Sequence, residues 1–121
     1  MGNQHVIREN DQLAIDYIAG LQTLSVVEDE TTRQLFAKTF KAFGDDTRLR
    51  LISFLTIAPA CLCEMVDALD IANSTISHHL KILERGGVVQ KEKRGKFTVY
   101  ELADKPLVKA LLHLLKQEEG R

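Results

Sequence analysis

Between residues 74 and 102 the apolar period changes from that of a helix to that of a strand. On a helical wheel of residues 74–85, Ile76, Leu80 and Leu83 fall within one narrow sector. The stretch that follows splits at Arg94-Gly95 into Val88–Lys93 and Lys96–Leu102, and its second half alternates Phe97, Val99 and Glu101 against Thr98, Tyr100 and Leu102. Two such runs around a glycine turn predict a β-hairpin, here with the charged tip Lys91-Glu92-Lys93-Arg94-Gly95-Lys96.

The residues before this stretch narrow the choice further. After Pro59 a short helix is expected over about 63–69, with Met65, Val66 and Leu69 inward, and Asp70-Ile71-Ala72-Asn73 forms a tight turn into the helix over 74–85. Short helix, turn, second helix and hairpin together read as a winged helix-turn-helix. Upstream, Leu13, Tyr17, Leu21 and Leu24 predict an amphipathic helix within 10–27. The cluster Glu28-Asp29-Glu30-Thr31 breaks the pattern and is placed to cap a helix over about 32–43 that turns Leu35, Phe36, Thr39, Phe40 and Phe43 toward a core. Asp45 is the expected N-cap of a helix over 47–55 with Leu51, Ile52 and Leu55 inside, and Pro106 opens a leucine-rich last helix. The fold class expected is mainly α with a β-hairpin wing. A chain of 121 residues is short for two ordinary domains, so one domain over 1–121 is expected, with an N-terminal helical arm of about 1–30.

Charge is distributed unevenly behind a formal net of −1. Residues 1–32 set Arg8 against Glu9, Asp11, Asp16, Glu28, Asp29 and Glu30, a net of −5. Residues 74–98 set Lys81, Arg85, Lys91, Lys93, Arg94 and Lys96 against Glu84 and Glu92, a net of +4. A basic patch on a neutral chain suits an oriented contact with a polyanion. Opposite the apolar sector of the second helix lie Ser74, His78, Lys81 and Arg85, with Thr75 and Ser77 at the edges. Hydroxyls and imidazole donate or accept at base edges or phosphates, and lysine and arginine suit the backbone. The candidate DNA contacts are therefore Ser74, Thr75, Ser77, His78 and Lys81 on this helix, and Arg94 and Lys96 on the wing. A solvated surface helix is the plainer reading, but Glu84 is its only acid. His79 points close to the apolar sector and is read as a packed, hydrogen-bonded residue.

The two cysteines, Cys61 and Cys63, stand one residue apart in Cys-Leu-Cys-Glu. Residues two apart on a helix diverge, so a pair wholly inside one chelates badly. With Cys61 extended after Pro59-Ala60 and Cys63 in the first helical turn, both sulfurs converge, and the helix start favours thiolate. Metal ligation and thiol chemistry both remain open at this point, as does packing as small buried hydrophobes. No apolar run approaches a membrane span and Met-Gly-Asn-Gln-His lacks a signal peptide's apolar core, so a cytoplasmic protein without a membrane partner is expected. No His-Glu-x-x-His, phosphate-binding glycine loop or cysteine with a partner base is present, which speaks against an enzyme.

The stretches FKAFGDDTRLRLISFL (40–55) and STISHHLKILERGGVVQKEKRGKFTVYEL (74–102) resemble the ArsR/SmtB family of bacterial metal-sensing repressors. That resemblance covers roughly 33–115 and implies a winged-helix homodimer that leaves its operator DNA when a metal or metalloid binds. Dimerisation through the N- and C-terminal helices also agrees with their apolar stripes. Asp46 stands where the family commonly has Pro, and Ala72 where Ser often caps the recognition helix, so Asn73 is expected to cap it one residue late. Cys-Leu-Cys-Glu is similar to the family's Cys-x-Cys-Asp stretch, which implies a thiophilic inducer, arsenite or antimonite, As(III) or Sb(III), or cadmium or lead, Cd(II) or Pb(II), at Cys61 and Cys63. The third cysteine of some arsenite sensors falls at Val66, and the arm holds none of the cysteines that cadmium sensors add. His5 of a partner's arm, water or a small thiol remains to complete the coordination. The family's last-helix zinc pattern keeps only Asp104, with Pro106, Gln117 and Gly120 at its other places and His113 off-register. A same-fold repressor responding to redox or reactive sulfur species, or to no small inducer, is the alternative.

Overall fold

The computed structural model describes residues 4–116. The chain divides into two compact units, Met1–Gln34 and Leu35–Arg121. In the first, α1 (Asn10–Thr23) and the short α2 (Ser25–Glu28) replace the single helix expected over 10–27. No residue of α1 is buried, and Ile15, Tyr17 and Ile18 are all more than half exposed. Asp29 accepts bonds from the Thr32 N–H (2.8 Å) and hydroxyl (2.7 Å), as a capping residue should. Those two bonds, hydroxyl first, hold its carboxyl below the usual range.

α3 (Glu30–Phe43) leads into the second unit, where Thr39 and Ala42 are buried and Phe36 and Phe43 half-buried. Leu35 and Phe40, expected to face a core, are instead 47% and 51% exposed: the described residues of this unit leave that side of α3 largely open. α4 (Asp46–Leu55) begins on Asp45, whose carboxylate accepts from the Arg48 N–H at 3.1 Å. That bond is the main reason the Asp45 carboxyl lies below its ordinary value. Leu51, Ile52 and Leu55 are buried as the 3.6-residue period requires.

The helix-turn-helix follows: α5 (Leu62–Leu69) ends on Asp70 in the left-handed region (φ 56°), and α6 (Asn73–Arg85) begins three residues later. Asn73 is the first helical residue and not the cap; Ala72 occupies the cap position and, lacking a side-chain oxygen, makes no capping bond. Strands β2 (Val89–Arg94) and β3 (Phe97–Leu102) form the wing, in register from Val89 opposite Leu102 to Arg94 opposite Phe97. The connection is the pair Gly95-Lys96, with Gly95 at φ 63°, which a residue bearing Cβ rarely adopts. A third strand that periodicity did not announce, β1 (Ala60–Cys61), pairs antiparallel with the free edge of β3, giving the order β1-β3-β2. α7 (Pro106–Lys116) buries Val108 but leaves Leu114 and Leu115 exposed.

One core joins these elements: Leu51, Ile52 and Leu55 of α4, Met65 of α5, Ile76, Leu80 and Leu83 of α6, with Val88, Val89 and Val108. The end of α6 meets α3 closely. A Cβ on Gly86 would lie 2.7 Å from the Lys38 carbonyl, and the Gly86 carbonyl accepts from the Thr39 hydroxyl at 2.6 Å. The second helix of the motif is thus fixed at its C-terminal end by backbone contact. No helix among the described residues is long and apolar enough to cross a membrane.

Candidate nucleic-acid interface and thiol pair

The outer face of α6 is polar and accessible. Ser74, Thr75, His78 and Lys81 are exposed, while Ser77 is half-buried with its hydroxyl 3.5 Å from the Asn73 side-chain oxygen. Ile76, Leu80 and Leu83 fill the opposite side. Glu84, the one acid of the helix, faces Lys91 of the wing at 3.5 Å. The outer surface therefore offers hydroxyls, an imidazole and cations.

The helix is held from below by Arg48, the residue that sequence reasoning passed over. Arg48 is only 7% exposed. Its guanidinium donates through Nε to the Ala42 carbonyl (2.9 Å) and through NH2 to the Lys41 carbonyl (2.9 Å), at the C-terminal end of α3 where a cation also complements the dipole. Its NH1 lies 3.0 Å from His79 Nδ1. Since guanidinium only donates, Nδ1 accepts and the ring proton sits on Nε2. Burial is the first cause that lowers the His79 pKa; the nearby Arg48 and His78 add to it, and Asp45, 3.9 Å away, opposes it. The reading of His79 as packed and hydrogen-bonded, and of His78 as exposed, is what the geometry shows. A signal for Arg48 existed. It stands at i−3, i−4 and i−7 from Leu51, Ile52 and Leu55, on the inner face of α4, where a charge needs partners.

On the wing, Arg94 is already engaged: Glu92 Oε1 lies 2.9 Å from its Nε and 2.5 Å from NH2, and Glu101 Oε1 is 3.5 Å away. The Glu92 bond, first among the causes, holds the guanidinium more firmly in its charged form. Lys96 at the turn has its Nζ 5.6 Å from the centre of the Phe97 ring. Lys93 and Lys96 are exposed.

Cys61 and Cys63 meet at the junction of β1 and α5. Cys61 is extended (φ −88°, ψ 168°) and Cys63 lies in the first turn of α5, so the two side chains turn toward each other and their sulfurs are 2.8 Å apart. Glu64 fixes the turn by accepting from the Cys61 N–H at 2.9 Å. Both thiols are unbridged, Cys61 buried and Cys63 exposed. The bond to Cys61 raises the Cys63 pKa, with desolvation and the charge of a neighbouring thiolate adding to it, so the protonated thiol is favoured there and not the thiolate expected from the helix start. Cys61 also stands opposite Val99 in the sheet, so one of the two thiols is carried on the wing's own sheet through β1.

Converging thiolates are soft donors that suit a thiophilic ion. Among the described residues no group of three or more His, Cys, Asp or Glu side chains is gathered to hold a metal, so the pair supplies two donors. Of the last-helix zinc pattern, Asp104 is ion-paired with Lys109, while Gln117 and Gly120 lie outside the described residues.

Residues 45–91 match the model of the family described as bacterial regulatory protein, arsR family. The chain is 39% identical over 82 residues to an uncharacterised HTH-type transcriptional regulator of Methanocaldococcus jannaschii, an alignment covering 67% of this chain and 91% of the relative. The chain belongs to the ArsR/SmtB family. This member is also 39% identical, over 64% of its length and 68% of the relative, to a Staphylococcus aureus protein named a CadC homolog and cadmium resistance transcriptional regulatory protein. To the arsenical resistance operon repressor of Bacillus subtilis it is 34% identical, over 63% of this chain and 76% of that one. Among solved structures, HlyU from Vibrio cholerae superposes with a TM-score of 0.66 at 26% identity, covering 77% of this chain and all of the other. The ArsR/SmtB chain described here is accordingly a winged-helix transcriptional regulator and not an enzyme.

Proposed function

We propose that the protein is a homodimeric, cytoplasmic repressor that leaves its operator when Cys61 and Cys63 bind a thiophilic metal or metalloid, arsenite or antimonite, or cadmium or lead. The observation that carries this reading is the convergence of the two sulfurs to 2.8 Å, produced by an extended Cys61 followed by a helical Cys63. The names of two relatives, a cadmium resistance regulator and an arsenical resistance repressor, favour the same class of inducer.

In this reading Ser74, Thr75, Ser77, His78 and Lys81 of α6 enter the major groove, and Arg94 and Lys96 hold flanking phosphates. The arm of about 1–30 and α7 carry the exposed apolar faces that a second copy of the single winged-helix domain covers. A ligand on the sulfurs acts on α5 and, through the Cys61–Val99 pairing, on the wing strand. Coupling is reciprocal, so DNA weakens inducer binding by the same factor.

Ultraviolet titration of the reduced protein with As(III), Cd(II) and Zn(II), beside the Cys61→Ser/Cys63→Ser variant, tests the site. A saturable thiolate-to-metal absorption band that the variant lacks is the expected result. Two unbridged thiols this close favour the second reading, a redox or reactive-sulfur switch, if no ion gives a band while oxidants still weaken DNA binding.

A further inference from the structure

Resting on the metalloid reading above, the surroundings of the sulfurs identify what accompanies the inducer. The described residues bring two soft donors together and no third, whereas As(III) takes three. Glu64, the acid nearest the pair in sequence, spends Oε1 on the Cys61 N–H. Two hollows of about 410 and 430 Å³ adjoin the sulfurs, one reaching Arg94 and Phe97 and the other Asn73, Lys96 and Thr98. They share Cys61, Cys63 and Phe97 and lie open to solvent, so together they form one broad depression against which a small organic molecule can rest. The two cations differ. Arg94 is neutralised by Glu92 and Glu101, while Lys96 forms no ion pair among the described residues.

We infer that the pair takes its metalloid together with an anionic low-molecular-weight thiol, whose sulfur fills the third coordination place and whose carboxylate lies against Lys96. The step is a ligand exchange without redox change. Three As–O bonds of arsenous acid break, three As–S bonds form, and the three thiol protons leave with the hydroxyls as three waters. Cys61 and Cys63 supply two of the sulfurs. Lys96 is also one of the wing cations proposed to hold phosphate, so the co-ligand's carboxylate competes with DNA for it. The ternary complex therefore releases DNA more completely than a complex completed by water.

The test titrates the reduced full-length protein with arsenite in the presence of 3-mercaptopropionate, 2-mercaptoethanol or cysteamine. These thiols are close in size but anionic, neutral and cationic. The arsenic–thiolate band is read after subtraction of the protein-free mixture. Half-saturation should come at about two- to five-fold lower arsenite with the anion than with the neutral thiol, the scale of one exposed charge pair, and at higher arsenite with the cation. Lys96→Gln, which leaves both sulfurs in place, should remove this ranking. Native mass spectrometry should show one arsenic and one mercaptopropionate per chain. Equal half-saturation with all three thiols, or a complex whose mass contains no small thiol, overturns the inference while leaving the thiol pair as inducer site. Absence of a band under every condition overturns the metalloid reading, and the co-ligand with it.

Discussion

The joint beneath α6 and the thiol pair beside the wing are both small polar sites, and they are built in opposite ways. At the joint, the buried Arg48 places its donors on the Lys41 and Ala42 carbonyls and on His79. No buried side-chain nitrogen or oxygen among the described residues lacks a partner. The thiol pair is open toward solvent on the wing side, and its sulfurs have chiefly each other. A site whose buried nitrogens each have a partner fixes geometry. One with donors to spare is arranged for something that arrives.

The largest effect that would break this contrast is at the joint. Arg48→Met should cost about 2–4 kcal/mol in urea unfolding, because two α3 carbonyls and His79 Nδ1 lose a charged donor at once. Cys61→Ser/Cys63→Ser should change stability by less than about 1 kcal/mol. A reversed order would make the thiols structural and the contrast false.

Proton linkage at the thiols should separate the candidate inducers. Cadmium displaces one or two thiol protons, and the Cys63 pKa is raised by Cys61, so its apparent affinity should rise about ten- to a hundred-fold per pH unit below the thiol pKa values. Arsenous acid returns those protons as water, and its affinity should stay flat over the same range. Isothermal titrations at pH 6 to 8 (about two units) would show whether both patterns hold.

Acid should act on the joint in the other sense. Burial lowers the folded-state pKa of His79, so its neutral form is the one the fold accommodates. Above the unfolded value of about 6.5 the folded and unfolded chains are both neutral there. As pH falls below it the unfolded state gains the proton first, and stability declines down to the folded pKa. His79→Gln, which keeps an acceptor for Arg48, should lose this component of the decline in unfolding measured between pH 7.5 and 5.5 (about two units). Nitrogen chemical shifts of the wild-type ring should show the proton on Nε2 at neutral pH.

The smallest expected effect sharpens the division of labour on the DNA side. Lys81→Gln should weaken binding to duplex DNA and reduce the salt slope by about one. Arg94→Gln should reduce it less, since Glu92 and Glu101 already neutralise that guanidinium. Equal slopes would show that DNA takes Arg94 from its carboxylates.

Much of this was legible from residue order alone. The apolar periods of α4 and α6, the Asp45 cap and the Gly95 turn are local properties, set by a few neighbouring residues and their backbone preferences, and they emerged within a residue or two of the expected bounds. The convergence of Cys61 and Cys63 was equally local, since it needs only an extended residue followed by a helical turn. The exposure of Leu35 and Phe40 could not be read from the helix that bears them, because a stripe does not say what covers it. Two features were decided only by tertiary structure. Residues 31 apart in the chain, Arg48 and His79, meet because α4 and α6 pack on one core. The two-residue β1 is too short to show a period, and it exists because β3 offers an edge of unpaired N–H and C=O groups that Ala60 and Cys61 satisfy. Local sequence thus determined the reading head and the thiol turn, while long-range packing determined what holds the first in place and what connects the second to the wing.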